Sequence, residues 1–313
     1  MKTRNLLSLL VILIAVVGFS LTSCKKDKNT TSTVDPTSMQ QLANDENQVQ
    51  NASDEALKDV NAYLSGSALK STESIPCNAN IDTVSIANDT ITILMNYHGL
   101  NCAQNRIRTG QIEIKKKVGT HWWQAGATII FRHINFKITK VNGGKSITLN
   151  GTKTHQNVTG GVLADLGNGT VTTIIHKTWG NETVTFSDNT TKVWNVARQQ
   201  TFTGVASTNS VVMTLDGFGT QDNYTGLVVW GVNRQGENFY TQITQSVVLR
   251  QTCDWDPCAG IKIHQIPADS KSATLTFGFD SNNQPITGTE CPAKYKLDWQ
   301  KNNHSGTVYL PLP

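Results

Sequence analysis

The sequence predicts a mainly β protein, an antiparallel sandwich or rolled sheet of a dozen or more strands, with a short N-terminal helical segment. Apolar and polar residues alternate with a period of two from about residue 82 onward, as they do over 134–138. Turn-forming pairs rich in Gly, Asn and Asp separate the alternating runs. No helical pattern interrupts this region, and consecutive strands joined by short turns pair as antiparallel sheet.

Two hairpins are predicted from their turns. Asn-Gly-Gly at 142–144 separates strand-like runs over 134–138 and 147–149, and these turn residues tolerate a positive φ. Gly-Asn at 180–181 stands in the same way between two alternating runs, so we expect a second hairpin there. Asp-Asn at 188–189 marks a further turn.

Residues 39–66 are predicted to be helical. Ser38 begins a Ser-x-x-Gln capping arrangement, apolar residues then recur on one face, and Gly66 could end the helix. Two short helices with a break at 51–53 are the alternative, and the segment could pack on the β region or act as a stalk. The β domain is expected over 72–313, either whole or divided into two subdomains.

The first 23 residues have the form of a secretory signal. Lys2 and Arg4 precede an apolar run over 6–17 that is too short for a spanning helix. The stretch 21–24, Leu-Thr-Ser-Cys, resembles the bacterial lipobox. That resemblance implies cleavage before Cys24, a diacylglycerol on its sulfur and usually acylation of the new amino terminus. An ordinary signal with an incidental cysteine is the alternative.

Residues 24–38 are predicted to be a disordered polar tether, because they contain one large apolar side chain. Their Cys-Lys-Lys-Asp-Lys opening, followed by a β-rich region with a repeated strand-loop-Cys unit, resembles lipoproteins of the Bacteroidota. The resemblance implies a lipid-anchored protein of the cell envelope, in the outer membrane. Whether it faces the periplasm or the cell surface is left open.

The charge of the chain excludes one class of partner. Removal of residues 1–23 takes away Lys2 and Arg4 and no acidic residue, so the formal net charge falls from +4 to +2. A nearly neutral chain without a long basic run has no electrostatic footprint for nucleic acid. The expected partners are the membrane, through the lipid, and either a glycan or another envelope protein.

Five cysteines remain besides Cys24, and an exported compartment permits disulfides among them. An odd number leaves at least one without a partner in the chain. Their spacing matches neither a zinc ribbon nor a zinc finger. The strand-loop-Cys repeat pairs Cys77 with Cys102, and it pairs Cys291 with either Cys253 or Cys258. Five reduced, buried thiols are the alternative.

No catalytic or cofactor motif occurs in the sequence. The seven histidines form no His-Glu-x-x-His, and neither a Gly-x-Ser-x-Gly elbow nor a P-loop is present. We therefore expect a protein that is not an enzyme and that holds no metal or cofactor. Four histidines lie on predicted strands, where most are expected on the solvent face: His133, His155, His176 and His264.

Three tryptophans are candidates for stacking on a sugar ring, namely Trp122, Trp123 and Trp255. Trp255 lies between Asp254 and Asp256, so a cation or a sugar could bind there, although a tight loop with solvated acids also explains the pattern. Tryptophans that fill the core between sheets are the alternative to a glycan-binding surface.

Two threonines are candidates for modification. Asp-Thr-Val and Asp-Thr-Ile, around Thr83 and Thr90, resemble the Asp-Thr-apolar sites at which Bacteroidota O-glycosylate exported proteins. Such short tripeptides also arise by chance.

The sequence thus favours a lipid-anchored envelope protein with a non-enzymatic structural or binding role. A carbohydrate-binding lipoprotein that uses exposed tryptophans is the first alternative. An envelope glycoside hydrolase, with two carboxylates across a groove, is the second.

Overall fold

A computed structural model describes residues 37–65 and 78–312. The predicted signal peptide, most of the tether, Cys24 and Cys77 lie outside the described residues. No helix among the described residues is long and apolar enough to span a membrane.

The described residues form one long helix and then fifteen strands. The helix α1 runs over Thr37–Leu64 without the break considered at 51–53, and it begins two residues before the predicted start. The strands are β1 Ala79–Ala87, β2 Thr90–Leu100, β3 Arg106–Lys117, β4 Ala127–Lys140, β5 Ser146–Asn157, β6 Ile174–Phe186, β7 Thr191–Thr203, β8 Val212–Gly217, β9 Gly219–Gln221, β10 Tyr224–Val232, β11 Asn238–Arg250, β12 Pro257–Ile266, β13 Lys271–Phe279, β14 Lys294–Lys301 and β15 His304–Pro311.

All fifteen strands belong to one antiparallel sheet. Strands β1 to β7 follow each other as a meander, and β10 to β15 continue the same path to the other edge. The long strands β7 and β11 are joined through two shorter strands. β10 pairs with one half of both β7 and β11, and β8 pairs with the other half of both. The predicted mainly β, antiparallel fold with an N-terminal helix is confirmed.

The sheet curves around α1. Side chains on β3, β5, β7 and β12 all contact the helix, although these strands lie far apart along the sheet. Most side chains of the helix are buried or half-buried, which a flat sheet on one side of it would not achieve. A single antiparallel sheet that bends over its helix lies within the predicted class, a sandwich or rolled sheet.

The helix is enclosed on most sides. Its buried apolar residues include Leu42, Ala56 and Val60, and Asp45 and Glu46 are buried as well. The exposed side chains are Asn44, Asn51 and Lys58. Because they are seven residues apart, close to two helical turns, they form one narrow stripe along the open side. The apolar remainder packs with the inward side chains of the strands to form the core.

The hairpin predicted at 180–181 is wrong, because β6 continues through it to Phe186 and turns near 188–189 instead. Gly180 is needed for a different reason. Its φ is +146°, and a Cβ there would lie 2.4 Å from the Thr152 carbonyl oxygen of β5. Glycine therefore permits a close backbone approach inside a strand, where its turn-forming character is not used.

Candidate functional site

The concave face of the sheet is basic where it meets α1. The helix carries five carboxylates, and each is paired with a cation from the sheet or its turns. These carboxylates are Asp45, Glu46, Asp54, Glu55 and Asp59, and their main partners are Arg234, Lys262, Arg198, Arg106 and Arg108 respectively. Charge complementarity as well as apolar packing therefore fixes the helix inside the sheet.

The most buried ion pair joins Lys153 on β5 to Glu182 on β6. The Lys153 Nζ lies 2.6 Å from a Glu182 oxygen and also donates to the Ser53 Oγ of α1 at 2.8 Å. Burial alone would raise the pKa of Glu182, but the charges of Lys153 and His133 lower the pKa to about 2. The carboxylate is therefore ionised throughout the physiological range.

Gly151 explains how His133 reaches Glu182. The three residues lie in one row across β4, β5 and β6, with Gly151 opposite both of the others. Because Gly151 has no side chain, the His133 Nδ1 and a Glu182 oxygen approach to 2.5 Å over it, although they are not aligned as a hydrogen bond. Burial lowers the pKa of His133, and the Glu182 charge opposes that shift in part.

A similar arrangement lies on β12. Lys262 donates to Glu46 of α1 at 3.0 Å, and His264 lies 3.3 Å from the same carboxylate. The Thr241 hydroxyl donates to Glu46 at 3.0 Å and lies 2.8 Å from the His264 Nδ1. Burial would raise the pKa of Glu46, but the positive charge of Lys262 and then His264 lowers it overall.

The two strands use the same pattern, Lys-x-His-Gln, at 153–156 and 262–265. In each, the lysine pairs with a buried glutamate and the histidine contacts a threonine across the strand pair at 2.8 Å. The glutamate is supplied by a neighbouring strand in the first case and by the helix in the second. The pattern is therefore a repeated way of placing a paired cation inside the sheet.

A third cluster holds the C-terminal part of α1. Arg108, only 3% exposed, lies 2.8 Å from Asp59 and 3.2 Å from Glu55. The Tyr97 hydroxyl donates to Asp59 at 3.1 Å. Burial raises the pKa of Asp59 despite the nearby Arg108, and burial followed by the Asp59 charge raises the pKa of Tyr97 well above its usual range.

The N-terminal part of α1 is clamped by Arg234, in the turn between β10 and β11. Its guanidinium binds both oxygens of Asp45, at 2.7 and 2.6 Å, and a third nitrogen lies 2.9 Å from Asp188. The guanidinium also stacks 3.9 Å above the centre of the Phe186 ring. Burial raises the pKa of Asp45 to about 6, against the effect of Arg234.

Two further histidines form a buried aromatic cluster with Trp122. The rings of His155 and His176 are 5.0 Å apart, and Trp122 stacks on His155 at 4.9 Å. Burial lowers the pKa of His176 to about 4, and burial together with the charge of His176 lowers the pKa of His155 far below its usual range. Both imidazoles are therefore neutral near pH 7.

The interior beside these charges is nearly filled. A cavity of about 20 Å³ is lined by Ser53, Lys153, Glu182 and Arg198 among others. That volume holds about one water molecule. Within the described part of the chain, no group of three or more His, Cys, Asp or Glu side chains is arranged to hold a metal ion.

A larger cavity of about 80 Å³ lies between α1 and the connection from β11 to β12. Trp255 and Asp256 line it from that connection, and Asn47 and Asn51 line it from the helix. Burial, followed by the charge of Asp254, raises the pKa of Asp256. Because Asn51 is exposed, the cavity is in contact with solvent.

The tryptophan candidates are not on one surface. Trp122 is buried against His155 and His176, so its ring is not open to a ligand. Trp123 is 50% exposed and stacks on His121, in the connection between β3 and β4. Trp255 lies in the connection between β11 and β12, many strands away along the sheet.

The structure tests part of the disulfide prediction. Cys253 and Cys291 form a disulfide, which selects one of the two pairings predicted for Cys291, and Cys258 is buried and free. The bond predicted between Cys77 and Cys102 stays a prediction, because Cys77 lies outside the described residues. Thr83 lies on β1, and Thr90 is half-buried at the start of β2. Their glycosylation also stays a prediction.

The expectation that most strand histidines face solvent is wrong. His133, His155, His176 and His264 are all buried. The parity of β5 could have revealed His155, because it shares a face with Ile147 and Leu149. In β12 the alternation of residues would have given the wrong face. Ile261 and Ile263 suggest that their face is the buried one, but they lie on the face opposite to His264, and His264 points inward.

Comparison with known proteins finds no matching family model, no similar curated protein and no similar solved structure.

Proposed function

We infer that this is a lipid-anchored protein of the cell envelope, in the outer membrane, with a non-enzymatic binding or structural role. The observation that carries the proposal is the Leu-Thr-Ser-Cys stretch at 21–24, which resembles a lipobox, directly after an apolar signal-like run. Diacylglycerol on Cys24 and a second acyl group at the amino terminus would together give stable attachment, which a single chain does not.

The position of α1 supports a mechanical link between the lipid anchor and the β domain. A short polar stretch separates Cys24 from the helix, and the helix is ion-paired to strands across much of the sheet. A pull on the lipid would therefore act on the core of the domain. A stalk that carried the sheet at its end would not need the buried pairs made by Glu46 and Asp59.

The paired interior favours a role other than catalysis. Lys153, Glu182 and Lys262 are at most 3% exposed, and each is neutralised by an opposite charge. Catalytic acids and bases must reach a substrate, whereas these groups contact the helix and each other. The lowered pKa of Glu182 is explained by the charges of Lys153 and His133, which also hold the fold.

Carbohydrate binding is the second candidate function, and the cavity beside Trp255 favours it. A glycoside hydrolase would need two carboxylates facing one groove, about 5 to 10 Å apart. Asp256 is the single carboxylate among the described residues that line this cavity. Binding without hydrolysis is therefore the better fit.

Replacing the lipidated cysteine tests the anchor. We expect the native protein to partition with membranes, and Cys24→Ala to stay uncleaved at the Ser23–Cys24 bond and to lack acyl mass. Cys258→Ala is the matched control, since it removes a free, buried thiol that is far from the signal in the sequence. Intact mass and membrane fractionation are the measurements. A Cys24→Ala protein that is processed at the same bond and fractionates as the native protein does would refute the anchor.

A further inference from the structure

Three polar side chains around the cavity beside Trp255 have unused hydrogen-bonding capacity. Within the described ranges, no residue hydrogen-bonds the side chains of Asn47, Asn51 or Asp256, although all three line the cavity. The two amides offer donors and acceptors, and the carboxylate offers acceptors. Such a mixture suits hydroxyl groups, which donate and accept at the same atom.

The rest of the cavity lining is mostly apolar. It is formed by Trp255 and Phe277 together with aliphatic side chains of β8 and β11, including Leu215 and Leu249. Aromatic and aliphatic walls that face a few convergent polar groups are the usual composition of a small-molecule site. The C–H face of a sugar ring packs on such a wall while its hydroxyls meet the polar groups.

The backbone that presents Trp255 is held in an unusual conformation. Asp254 and Trp255 have φ values of +54° and +66°, in the left-handed region that a bulky residue rarely adopts. The Trp255 N–H donates to the Arg250 carbonyl at 3.0 Å, and the adjacent Cys253 is bonded to Cys291. Strained backbone of this kind is concentrated at functional sites.

We propose that this cavity, the Trp255 pocket, binds one neutral sugar ring at the end of a glycan. The proposal deepens the binding role given above and does not depend on the lipid anchor. A benzene-sized ring occupies a cavity of about 150 Å³, so the 80 Å³ here accepts one edge of a sugar ring while the rest stays in solvent. The terminal ring of a glycan can place one edge in the cavity in this way while its remaining surface stays in solvent.

A cation fits this pocket less well. Calcium takes six to eight oxygen ligands and favours several carboxylates. Among the described residues that line the cavity, Asp256 is the single carboxylate, and the cationic residue Lys262 is part of the same lining. Lys262 is already neutralised by Glu46, so the pocket does not call for an anion either.

Saturation-transfer NMR on the mature full chain in detergent tests the proposal. The probes are glucose, galactose, mannose and N-acetylglucosamine, each at millimolar concentration. We expect transfer to the protons along one edge of at least one of these sugars. We also expect Asn51→Ala and Asp256→Ala to weaken that binding at least tenfold, because each removes a hydrogen-bonding partner from the pocket.

The helix supplies a matched control. Asn44 lies on the same exposed stripe as Asn51 but does not line the pocket, so Asn44→Ala should bind as the native protein does. Transfer to none of the four sugars would overturn the proposal. Binding that survives both pocket variants, or that is lost only in Trp123→Ala, would also overturn it. None of these outcomes would alter the membrane fractionation of Cys24→Ala. The sugar-binding proposal and the lipid-anchor proposal can therefore be refuted independently.

Discussion

Replacement of Glu182 by alanine is expected to destabilise the protein by about 3 to 5 kcal/mol, because it leaves the Lys153 ammonium buried without its counter-charge. The pKa of Glu182 gives a similar magnitude. A carboxyl lowered from 4.5 to about 2 contributes roughly 3 kcal/mol, present above pH 4.5 and lost as the pH falls towards 2. Urea unfolding at pH 7 measures the change.

Glu113 provides the control for this substitution. It also lies on a strand and pairs with a lysine, Lys115, at 3.1 Å, but that lysine is 44% exposed. We expect Glu113→Ala to cost less than about 1 kcal/mol. The double variant Lys153→Met, Glu182→Leu should recover much of the stability, since it removes both buried charges. Equal costs for Glu182→Ala and Glu113→Ala would show that the buried pair is not formed.

Acidification from pH 6.5 to pH 4 is expected to remove about 3 kcal/mol of stability through His176 alone. Burial among His155, Trp122 and Phe202 lowers its pKa from 6.5 to about 4. The folded state therefore holds a neutral imidazole, whereas the unfolded chain binds a proton below pH 6.5. The contribution is complete above pH 6.5 and is lost as the pH falls through 4.

Other titratable groups also change the stability between pH 6.5 and 4. The contribution of His176 is therefore measured as a difference in that stability change between the native protein and a variant. The lowered pKa values of His133, His155 and His264 act in the same direction. The raised pKa of Asp45, about 6, acts oppositely, since it adds stability as the pH falls from 6 to 3.8.

Variants at His176 and at a surface histidine isolate the contribution. His176→Leu should lose about 2 to 3 kcal/mol less than the native protein between pH 6.5 and 4. His304→Leu, at an exposed position, controls for the loss of a histidine. Parallel stability curves for the native protein and His176→Leu would contradict the burial of a neutral imidazole.

The fold was predictable from the sequence because its signals are local. Period-two alternation marks β4 and β5, and the Asn-Gly-Gly stretch at 142–144 marks the turn between them. Gly180 gave a false turn signal, because a glycine that lets two strands approach looks the same in sequence as one that turns the chain. Only the neighbouring strand distinguishes the two cases.

The interior charges were not predictable as a site. Lysine and histidine on a strand usually face water, and their burial here depends on acids that come from α1 or from another strand. Lys153 and Ser53 are a hundred residues apart in the chain, so no local pattern connects them. The parity of β5 is a usable signal, but the adjacent isoleucines of β12 show why parity alone fails.

In the structure, α1 is part of the core of the sheet. Amide hydrogen exchange on the intact protein tests this claim most directly. We expect the amides of α1 over 46–60 to exchange as slowly as those of β5 and β6, because all of them open only when the whole domain unfolds. Exchange in α1 at least about a hundredfold faster than in those strands would show that the helix is an appendage of the sheet, and would contradict the claim.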